Sequence, residues 1–369
     1  MILTVLIALS PIYGVYLNRF RASQRRYLDS IFIRVEEGLI NGLIIDIKDD
    51  HGIIPYPSQV ELAQQIGAVR PSIDLDHLLK RKGELGMFLV GRISVFRDDI
   101  LSRFDEYAVL DTAGRWRDNV GIGWVDPYNK KVWEYNLAIA QEILELGFDL
   151  VFFDYVRFPS DGDLSRCQYS ADRDRFQTIR SFIDYARRRI KRFGLCVFGY
   201  SIWRPLYREG QRLEDFKGVY ILAPMLYPSH FARDFQAGED RPYQIYYRSV
   251  QRAKDSLPNT LIIPFIQGFD YLVDDFDADY IRREIEGVID GGGDGFFIWN
   301  AAGDYDDAFA ALANIGGRRI AFLIGRGSHR EEPDHQSRDR DYRQVRIRSR
   351  YRRRIQIYRR HDIPSDILP

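Results

Sequence analysis

Acidic residues that directly follow apolar, strand-like runs are the residues of this sequence whose positions best suit catalysis. Three apolar residues precede Asp154, and Arg157 follows three residues later. An arginine beside a carboxylate favours its ionised form, and an ionised carboxylate suits the nucleophile or base of a glycoside hydrolase. The residue types alone leave a second interpretation open, in which Asp154 and Arg157 form a structural salt bridge.

Two further candidates for catalysis lie at the ends of other runs. Asp46 follows three apolar residues, and the period of two along a strand places Lys48 on the same face. The next acids, Asp49 and Asp50, are interpreted as part of a solvated turn rather than as calcium ligands. His230 ends a third run and is a candidate acid because its charge changes near neutral pH, with a structural role as the alternative.

Rings and hydrogen-bonding side chains recur at the ends of the strand-like runs and in the loop after the third run. This mixture is typical of a pocket that binds a sugar, because ring faces stack on its C–H groups while polar groups bond its hydroxyls. The two tryptophans of that loop are interpreted equally well as packed core residues. The candidates for sugar binding are Arg92, Trp116, Asp118, Trp124, Tyr155, Arg157, Tyr227, Gln267, Trp299 and Asn300.

Short β-branched or aromatic runs alternate with helical patterns, such as residues 130–146, which Asp126 and Pro127 are expected to start. Eight such units predict a (β/α)8 barrel, whose functional groups come from the carboxyl ends of the strands. A doubly wound open sheet is the alternative. No glycine-rich phosphate loop follows the first run, so we expect no nucleotide cofactor. The predicted strands are residues 12–17, 42–47, 87–95, 150–155, 195–200, 218–226, 260–266 and 295–299.

The sequence divides into three parts. Residues 1–11 begin with an apolar run too short to span a bilayer, interpreted as a strand or a signal-peptide remnant, and export is slightly favoured. Residues 12–317 form the predicted barrel. Residues 318–369 are rich in arginine, although the formal net charge of the chain is zero. This basic tail is interpreted as an extension packed on the barrel, a solvated tail, or a site for an anionic polymer or surface.

The two cysteines, Cys167 and Cys196, form neither a disulfide framework nor a zinc-binding spacing. We therefore predict no metal site. Glycoside hydrolysis by two carboxyl groups also requires no organic cofactor, so a carbohydrate is the one small-molecule partner that the pattern indicates.

Five motifs, taken together, resemble a bacterial family of glycoside-hydrolase domains that is distantly similar to the α-amylase and α-galactosidase groups. The resemblance covers residues 13–300 and implies a (β/α)8 barrel in which Asp154 takes the nucleophile position. It does not imply a particular substrate. The motifs lie, in this order, at residues 44–50, 117–129, 153–159, 225–230 and 297–300.

One position departs from the pattern of that family. The family often has an aspartate in the fifth strand where this sequence has Cys196. A buried thiol has a high pKa and packs as a small apolar side chain, so it does not replace an acid. The resemblance therefore leaves two functions open. One is a glycosidase acting on a poly- or oligosaccharide, with Asp46, Asp126 or His230 as its acid, and the other is a glycan-binding barrel that has lost catalysis.

Overall fold

The computed structural model describes residues 11–231, 235 and 240–316. Our predictions for the basic tail, residues 318–369, and for the apolar run that starts the chain lie outside these residues. No helix in the described ranges is long and apolar enough to cross a bilayer.

Eight parallel strands close into a barrel, which confirms the predicted (β/α)8 architecture. Each strand pairs with the next along the chain, and the last pairs with the first, with Gly295 opposite Ile12. The strands are β1 (Ile12–Leu17), β2 (Gly42–Lys48), β3 (Phe88–Ser94), β4 (Leu150–Asp154), β5 (Gly194–Phe198), β6 (Ile221–Met225), β7 (Leu261–Ile262 and Phe265–Gln267) and β8 (Gly295–Trp299).

The structure corrects the prediction for the seventh strand. Residues 260–266 are expected to form one run, but the structure divides β7 around Ile263 and Pro264. A proline has no backbone N–H to donate to the neighbouring strand, so the ladder is interrupted there. The first part of β7 pairs with β6, and the second part pairs with β8 and contacts β6 through Phe265.

Alternation along the strands separates two apolar cores. On β1, Ile12 and Tyr16 belong to the cluster inside the barrel, whereas Val15 and Leu17 belong to the cluster between barrel and helices. The period of two of a strand produces this division. Where strands approach most closely only glycine fits, because a Cβ on Gly14 would lie 1.9 Å from the carbonyl oxygen of the facing strand.

Helices cover the outside of the barrel in every connection except one. Between β5 and β6 the chain forms only two 3₁₀ helices, Gly199–Ile202 and Leu213–Phe216. The other 3₁₀ turns are Leu101–Arg103, Leu164–Arg166 and Pro228–His230. The α-helices are α1 (Arg19–Ser23), α2 (Arg25–Glu36), α3 (Glu61–Gln65), α4 (Leu75–Leu85), α5 (Lys130–Glu145), α6 (Arg175–Arg187), α7 (Arg241–Ser256), α8 (Ala278–Asp290) and α9 (Asp306–Ile315).

Helix α5 starts at Lys130, as the helical pattern indicates, but its cap differs from the predicted one. Asn129, rather than Asp126, caps it by accepting a hydrogen bond from the backbone N–H of Lys131. The carboxylate of Asp126 accepts instead from the backbone N–H groups of Tyr128 and Ser170, so it organises the loops before the helix. The long connection from β3 to α5 also contains a short hairpin, Leu110–Asp111 with Gly114–Arg115.

Candidate active site

The carboxyl ends of β2, β3 and β4 bring Asp46, Arg92 and Asp154 together. Asp46 lies opposite Arg92 in the sheet register, and Asp154 ends the next strand. The guanidinium of Arg92 donates from Nη1 to Asp46 Oδ1 at 2.6 Å. It also donates from Nε and Nη2 to Asp154 Oδ2, at 2.8 and 2.7 Å. One arginine therefore bridges two carboxylates at the mouth of the barrel.

The shared arginine keeps the two carboxylates close to each other. A single planar guanidinium joins them, so the two bonded oxygens are at most about 8 Å apart, below the upper limit of about 9.5 Å for paired glycosidase carboxyls. All three side chains are nearly enclosed, with 5–8% of each exposed. The charged groups therefore meet in a poorly hydrated place, where their interactions are strong.

Burial gives Asp46 an unusual titration. It raises the pKa of Asp46 to about 6, although the charge of Arg92 and the hydrogen bond from Tyr16 oppose the shift. Burial alone would lower the pKa of Arg92, but the charges of Asp46 and Asp154 raise it well above its ordinary value. Arg92 thus stays charged, while Asp46 gains or loses its proton in the pH range where a general acid or base works.

An aromatic wall stands beside the three charged groups. The rings of Tyr16 and Trp299 are stacked, with centroids 3.7 Å apart and planes at 14°. The guanidinium carbon of Arg92 lies 5.0 Å from the centre of the Trp299 ring. Trp299 remains partly exposed at the end of β8. Part of this side chain is therefore accessible beside the carboxylates.

Tyr227 and Cys196 belong to the apolar cluster inside the barrel and are both buried. Burial, and after it the negative charge of Asp154, raises the pKa of each well above its ordinary value. The register of β4 with β5 pairs Phe153 with Leu195, so Cys196 comes at the level of Asp154 on the neighbouring strand. Cys196 is therefore a neutral thiol next to the site at neutral pH, which agrees with the expectation that it cannot donate a proton there.

The backbone bends sharply immediately after Asp154. Tyr155 has a φ of 52°, a left-handed conformation that is costly for a tyrosine. Its backbone N–H donates to Asp154 Oδ1 at 2.7 Å, and its hydroxyl accepts from Arg97 at 3.0 Å. The turn thus fixes the Asp154 carboxylate from the side opposite Arg92. Strained backbone of this kind is concentrated at functional sites.

The prediction that Asp154 forms an ion pair with Arg157 is wrong. The guanidinium that pairs with Asp154 belongs to Arg92, on the neighbouring strand. Arg157 donates to the hydroxyl of Ser160 at 3.0 Å, and its guanidinium carbon lies 4.4 Å from the Phe198 ring. Because the chain turns away from the strand after Asp154, a residue three positions later points into the loop instead of back to the carboxylate.

Comparison with known proteins identifies the family of this chain. Residues 14–305 match the model of the family described as "Putative glycosyl hydrolase domain". The chain belongs to this family. No curated protein matches it in sequence.

Several solved structures are also similar to this chain. A hypothetical protein from Ruminiclostridium thermocellum is 33% identical over 49% of this chain and 95% of its own, with a TM-score of 0.46. The glycoside hydrolase domain of PgaB (BpsB) from Bordetella bronchiseptica is 12% identical over 85% of this chain and 99% of its own, with a TM-score of 0.59. The GH36 α-galactosidase AgaB from Geobacillus stearothermophilus is 10% identical over 87% of this chain and 42% of its own, with a TM-score of 0.52. At these low identities, the last two show the fold that family members share with glycosidases.

The side chains of two polar residues predicted to bind a sugar form hydrogen bonds with other groups of the protein. Gln267 accepts at Oε1 from the backbone N–H and hydroxyl of Ser229, and donates from Nε2 to two carbonyls of the loop after β7. Asn300 donates to the carbonyls of Gly268 and Asp304 and accepts from the N–H of Ala302. Both amides therefore hold loops around the mouth in place, and we correct their assignment from ligand binding to loop positioning.

The residues of the loop after β3 that were predicted to bind a sugar also make their contacts within the protein. Asp118 accepts hydrogen bonds at Oδ2 from Arg97 at 2.9 Å and from the indole of Trp124 at 3.1 Å. Trp116 donates from its indole to the carbonyl of Asp163 at 2.9 Å. Both indoles are buried by protein. Packing therefore accounts for these tryptophans, and stacking on a sugar does not fit their position.

The remaining candidate, His230, is unsuited to donating a proton. Burial lowers its pKa to about 4, so the ring is neutral at neutral pH. Its ring lies edge-on to Tyr227, with centroids 5.3 Å apart. His230 therefore lies at the mouth but does not supply the acid that the sequence suggested for it.

Lys48 is not on the face predicted for it. The register between β2 and β3 is irregular after Asp46, and this irregularity turns the next residues. The ammonium of Lys48 lies 2.8 Å from Asp98 Oδ2 and 3.1 Å from the amide oxygen of Asn136 on α5. Lys48 is thus buried between barrel and helix, outside the mouth.

The acids after Lys48 also serve the fold. Asp49 accepts from the backbone N–H groups of His51 and Ile53 and from Arg19, as a structural turn requires. Asp50 pairs with Arg97 at 2.7 Å. Among the residues that the structure describes, no group of three His, Cys, Asp or Glu side chains is placed to hold a metal ion.

Sequence reasoning missed Tyr16. It lies inside the barrel on β1, and its hydroxyl donates to Asp46 Oδ2 at 2.5 Å. Its position had a detectable signal, because it is the last residue of the first strand that the period of two directs inward. A tyrosine carries less obvious chemistry than an acid, so the residue type does not indicate a catalytic role.

Proposed function

We propose that this protein hydrolyses glycosidic bonds of a poly- or oligosaccharide at the mouth of its barrel. The observation that carries the proposal is the pair of carboxylates, Asp46 and Asp154, joined by Arg92 and flanked by the partly exposed ring of Trp299. Family membership supports the reaction class, and so do two structural neighbours, a glycoside hydrolase domain and an α-galactosidase.

Asp154 is proposed as the nucleophile or base. Its carboxylate is fixed by Arg92 on one side and by the backbone N–H of Tyr155 on the other. A fixed carboxylate of this kind attacks the anomeric carbon, or takes a proton from the attacking water, without having to reorient. Its place at the end of β4 agrees with the general location of catalytic groups in such barrels.

Asp46 is proposed as the proton donor to the departing sugar oxygen. Its pKa, raised by burial to about 6, leaves a substantial protonated fraction in mildly acidic solution. Asp126 and His230 are the weaker candidates, since one is engaged by backbone N–H groups and the other is neutral. Catalysis through Asp46 predicts that kcat/KM falls as the pH rises through about 6.

A glycan-binding barrel without catalysis is the second candidate. The observation that favours it is Cys196, a buried thiol in β5 at a position where the family resemblance implies an acid. The ring of Trp299 and the hydrogen-bonding groups would then hold a sugar without cleaving it.

The deciding experiment measures reducing-sugar release from α- and β-linked polysaccharides by the wild type, Asp154→Asn and Asp46→Asn. We expect release by the wild type and a loss of at least about 10²-fold in each variant, since general acid–base groups contribute about 10²–10⁴-fold. Asp99→Asn is a matched control, because Asp99 forms ion pairs with Arg103 and Arg117 in the loop after β3. Binding of a polysaccharide without release by the wild type would instead establish the glycan-binding function.

A further inference from the structure

Tyr16 contacts both the charged and the aromatic part of the proposed site. Its hydroxyl donates to Asp46 Oδ2 at 2.5 Å, while its ring stacks on Trp299. Its backbone carbonyl accepts a hydrogen bond from the hydroxyl of Tyr305, which in turn accepts one from the backbone N–H of Asn300. The side chain is buried, so these contacts from β2, β8 and the turn after β8 hold the phenol in one orientation.

The oxygen that Tyr16 contacts is the one on which protonation of Asp46 depends. Asp46 Oδ1 accepts from the permanently charged Arg92, so a proton is best accommodated on Oδ2. A hydrogen bond donated to Oδ2 favours the ionised carboxylate. Burial favours the neutral carboxyl, and burial is the larger of the two effects. The hydrogen bond from the Tyr16 hydroxyl to Oδ2 therefore lowers the pKa of Asp46, whereas burial raises it.

We propose that Tyr16 is a positioning residue for Asp46, and that its stacking on Trp299 links the protonation of this carboxyl to the ring on which a sugar rests. The consequence for catalysis rests on the proposed function. The link among Tyr16, Asp46 and Trp299 is a property of the protein without substrate, so it is tested separately.

The first test follows the ¹³C resonance of the Asp46 carboxyl through a pH titration, assigned by its absence in Asp46→Asn. In Tyr16→Phe the ring and its packing remain while the donor is lost. We expect the midpoint to rise by about one pH unit or more, since a hydrogen bond to a charged group is worth at least that much. Tyr13→Phe is the matched control on the same strand, because the Tyr13 ring belongs to the outer core, and its midpoint should equal that of the wild type.

The second test asks whether Trp299 acts through Tyr16. Trp299→Leu keeps an apolar side chain over the site but removes the stacked ring, so we expect the Asp46 midpoint to rise. In the Tyr16→Phe background the same change should have little further effect, because the hydroxyl through which it acts is gone. An unmoved midpoint in Tyr16→Phe overturns the positioning role. Equal shifts from Trp299→Leu in both backgrounds overturn the link.

Kinetics then connect the titration to catalysis. With an active polysaccharide, the alkaline limb of the kcat/KM profile should move upward in Tyr16→Phe by the same interval as the NMR midpoint. If the NMR midpoint shifts but this limb does not, Tyr16 positions Asp46 but Asp46 is not the catalytic acid. Absence of hydrolysis by the wild type would refute the proposed function and leave the titration result intact.

Discussion

Replacing Arg92 by methionine should leave two buried carboxylates without their common counter-charge. Arg92 makes three charged hydrogen bonds of 2.6–2.8 Å to Asp46 and Asp154, whose side chains are 5% and 8% exposed. Removing one partner of a buried ion pair costs about 3–5 kcal/mol, because the remaining charge stays desolvated. We therefore expect Arg92→Met to lower the free energy of unfolding by about 3–5 kcal/mol at pH 8.

The deficit should depend on pH, with a definite sign. Burial already holds the folded-state pKa of Asp46 above the unfolded value, and the charge of Arg92 lowers it. Without Arg92 the folded-state pKa rises further, so the folded variant binds more protons and its stability falls more steeply as the pH rises above the unfolded pKa of about 4. The deficit should accordingly be smaller at pH 5 than at pH 8.

Urea denaturation of the two proteins at pH 5 and pH 8 measures this deficit. Arg115→Met is the matched control, because Arg115 faces Asp105 at 3.7 Å on the surface and such pairs are worth at most about 1 kcal/mol. Adding Asp46→Asn to Arg92→Met removes one of the two stranded charges and should recover part of the loss. A deficit below about 1 kcal/mol, or one independent of pH, would show that Arg92 does not hold these charges.

Three further predictions concern other parts of the chain. Both carboxylate oxygens of Glu284 are buried without a hydrogen-bond partner in the described structure, and burial raises its pKa well above the ordinary value. Glu284→Met should therefore stabilise the protein by about 1–3 kcal/mol in urea denaturation, and more at pH 8 than at pH 5. Gln267→Ala should lower stability by about 1–3 kcal/mol, because the N–H of Ser229 and two loop carbonyls lose their partner; an unchanged midpoint would contradict this. Deletion of residues 318–369 should abolish any binding to heparin that weakens steeply with salt, and binding that persists would exclude the basic tail as its site.

The barrel could be predicted because its signals are local and repeated. Each strand is a short apolar run followed by a helical pattern, and a count of eight such units indicates one architecture. The errors also have local causes. Pro264 interrupts β7 although its neighbours are apolar, and the connection from β5 to β6 packs two 3₁₀ helices where an α-helix is usual. Neither feature changes the apolar periodicity, so neither is visible in it.

Four residues of the candidate site followed from the same pattern. Asp46, Arg92, Asp154 and Trp299 were expected at strand ends, and the structure brings these four together. Which residue pairs with which did not follow, because the partner of Asp154 comes from the adjacent strand, 62 positions earlier in the chain.

Polar residues at strand ends have two possible uses that composition cannot separate. Gln267 and Asp118 occupy positions as suggestive as those of Asp46, yet their hydrogen bonds all serve the loops above the barrel. A loop that crosses the mouth must satisfy its backbone groups, and side chains at the strand ends are the nearest donors and acceptors. Asp46 differs from these two residues because its partners, Arg92 and Tyr16, are side chains of neighbouring barrel strands.

The position of the charged groups relative to the barrel core accounts for their chemistry. Along β2, β3 and β4 the inward residues change from apolar to charged near the carboxyl end of each strand, and the last apolar inward residues are Ile44, Val90 and Phe152. The carboxylates therefore have hydrocarbon beneath them and one another's counter-charge beside them. An apolar environment raises the pKa of a carboxyl, and the guanidinium of Arg92 makes this rise smaller. The pKa of about 6 for Asp46 is thus a consequence of where the apolar layer of the barrel ends, and the period of two along three adjacent strands sets that boundary.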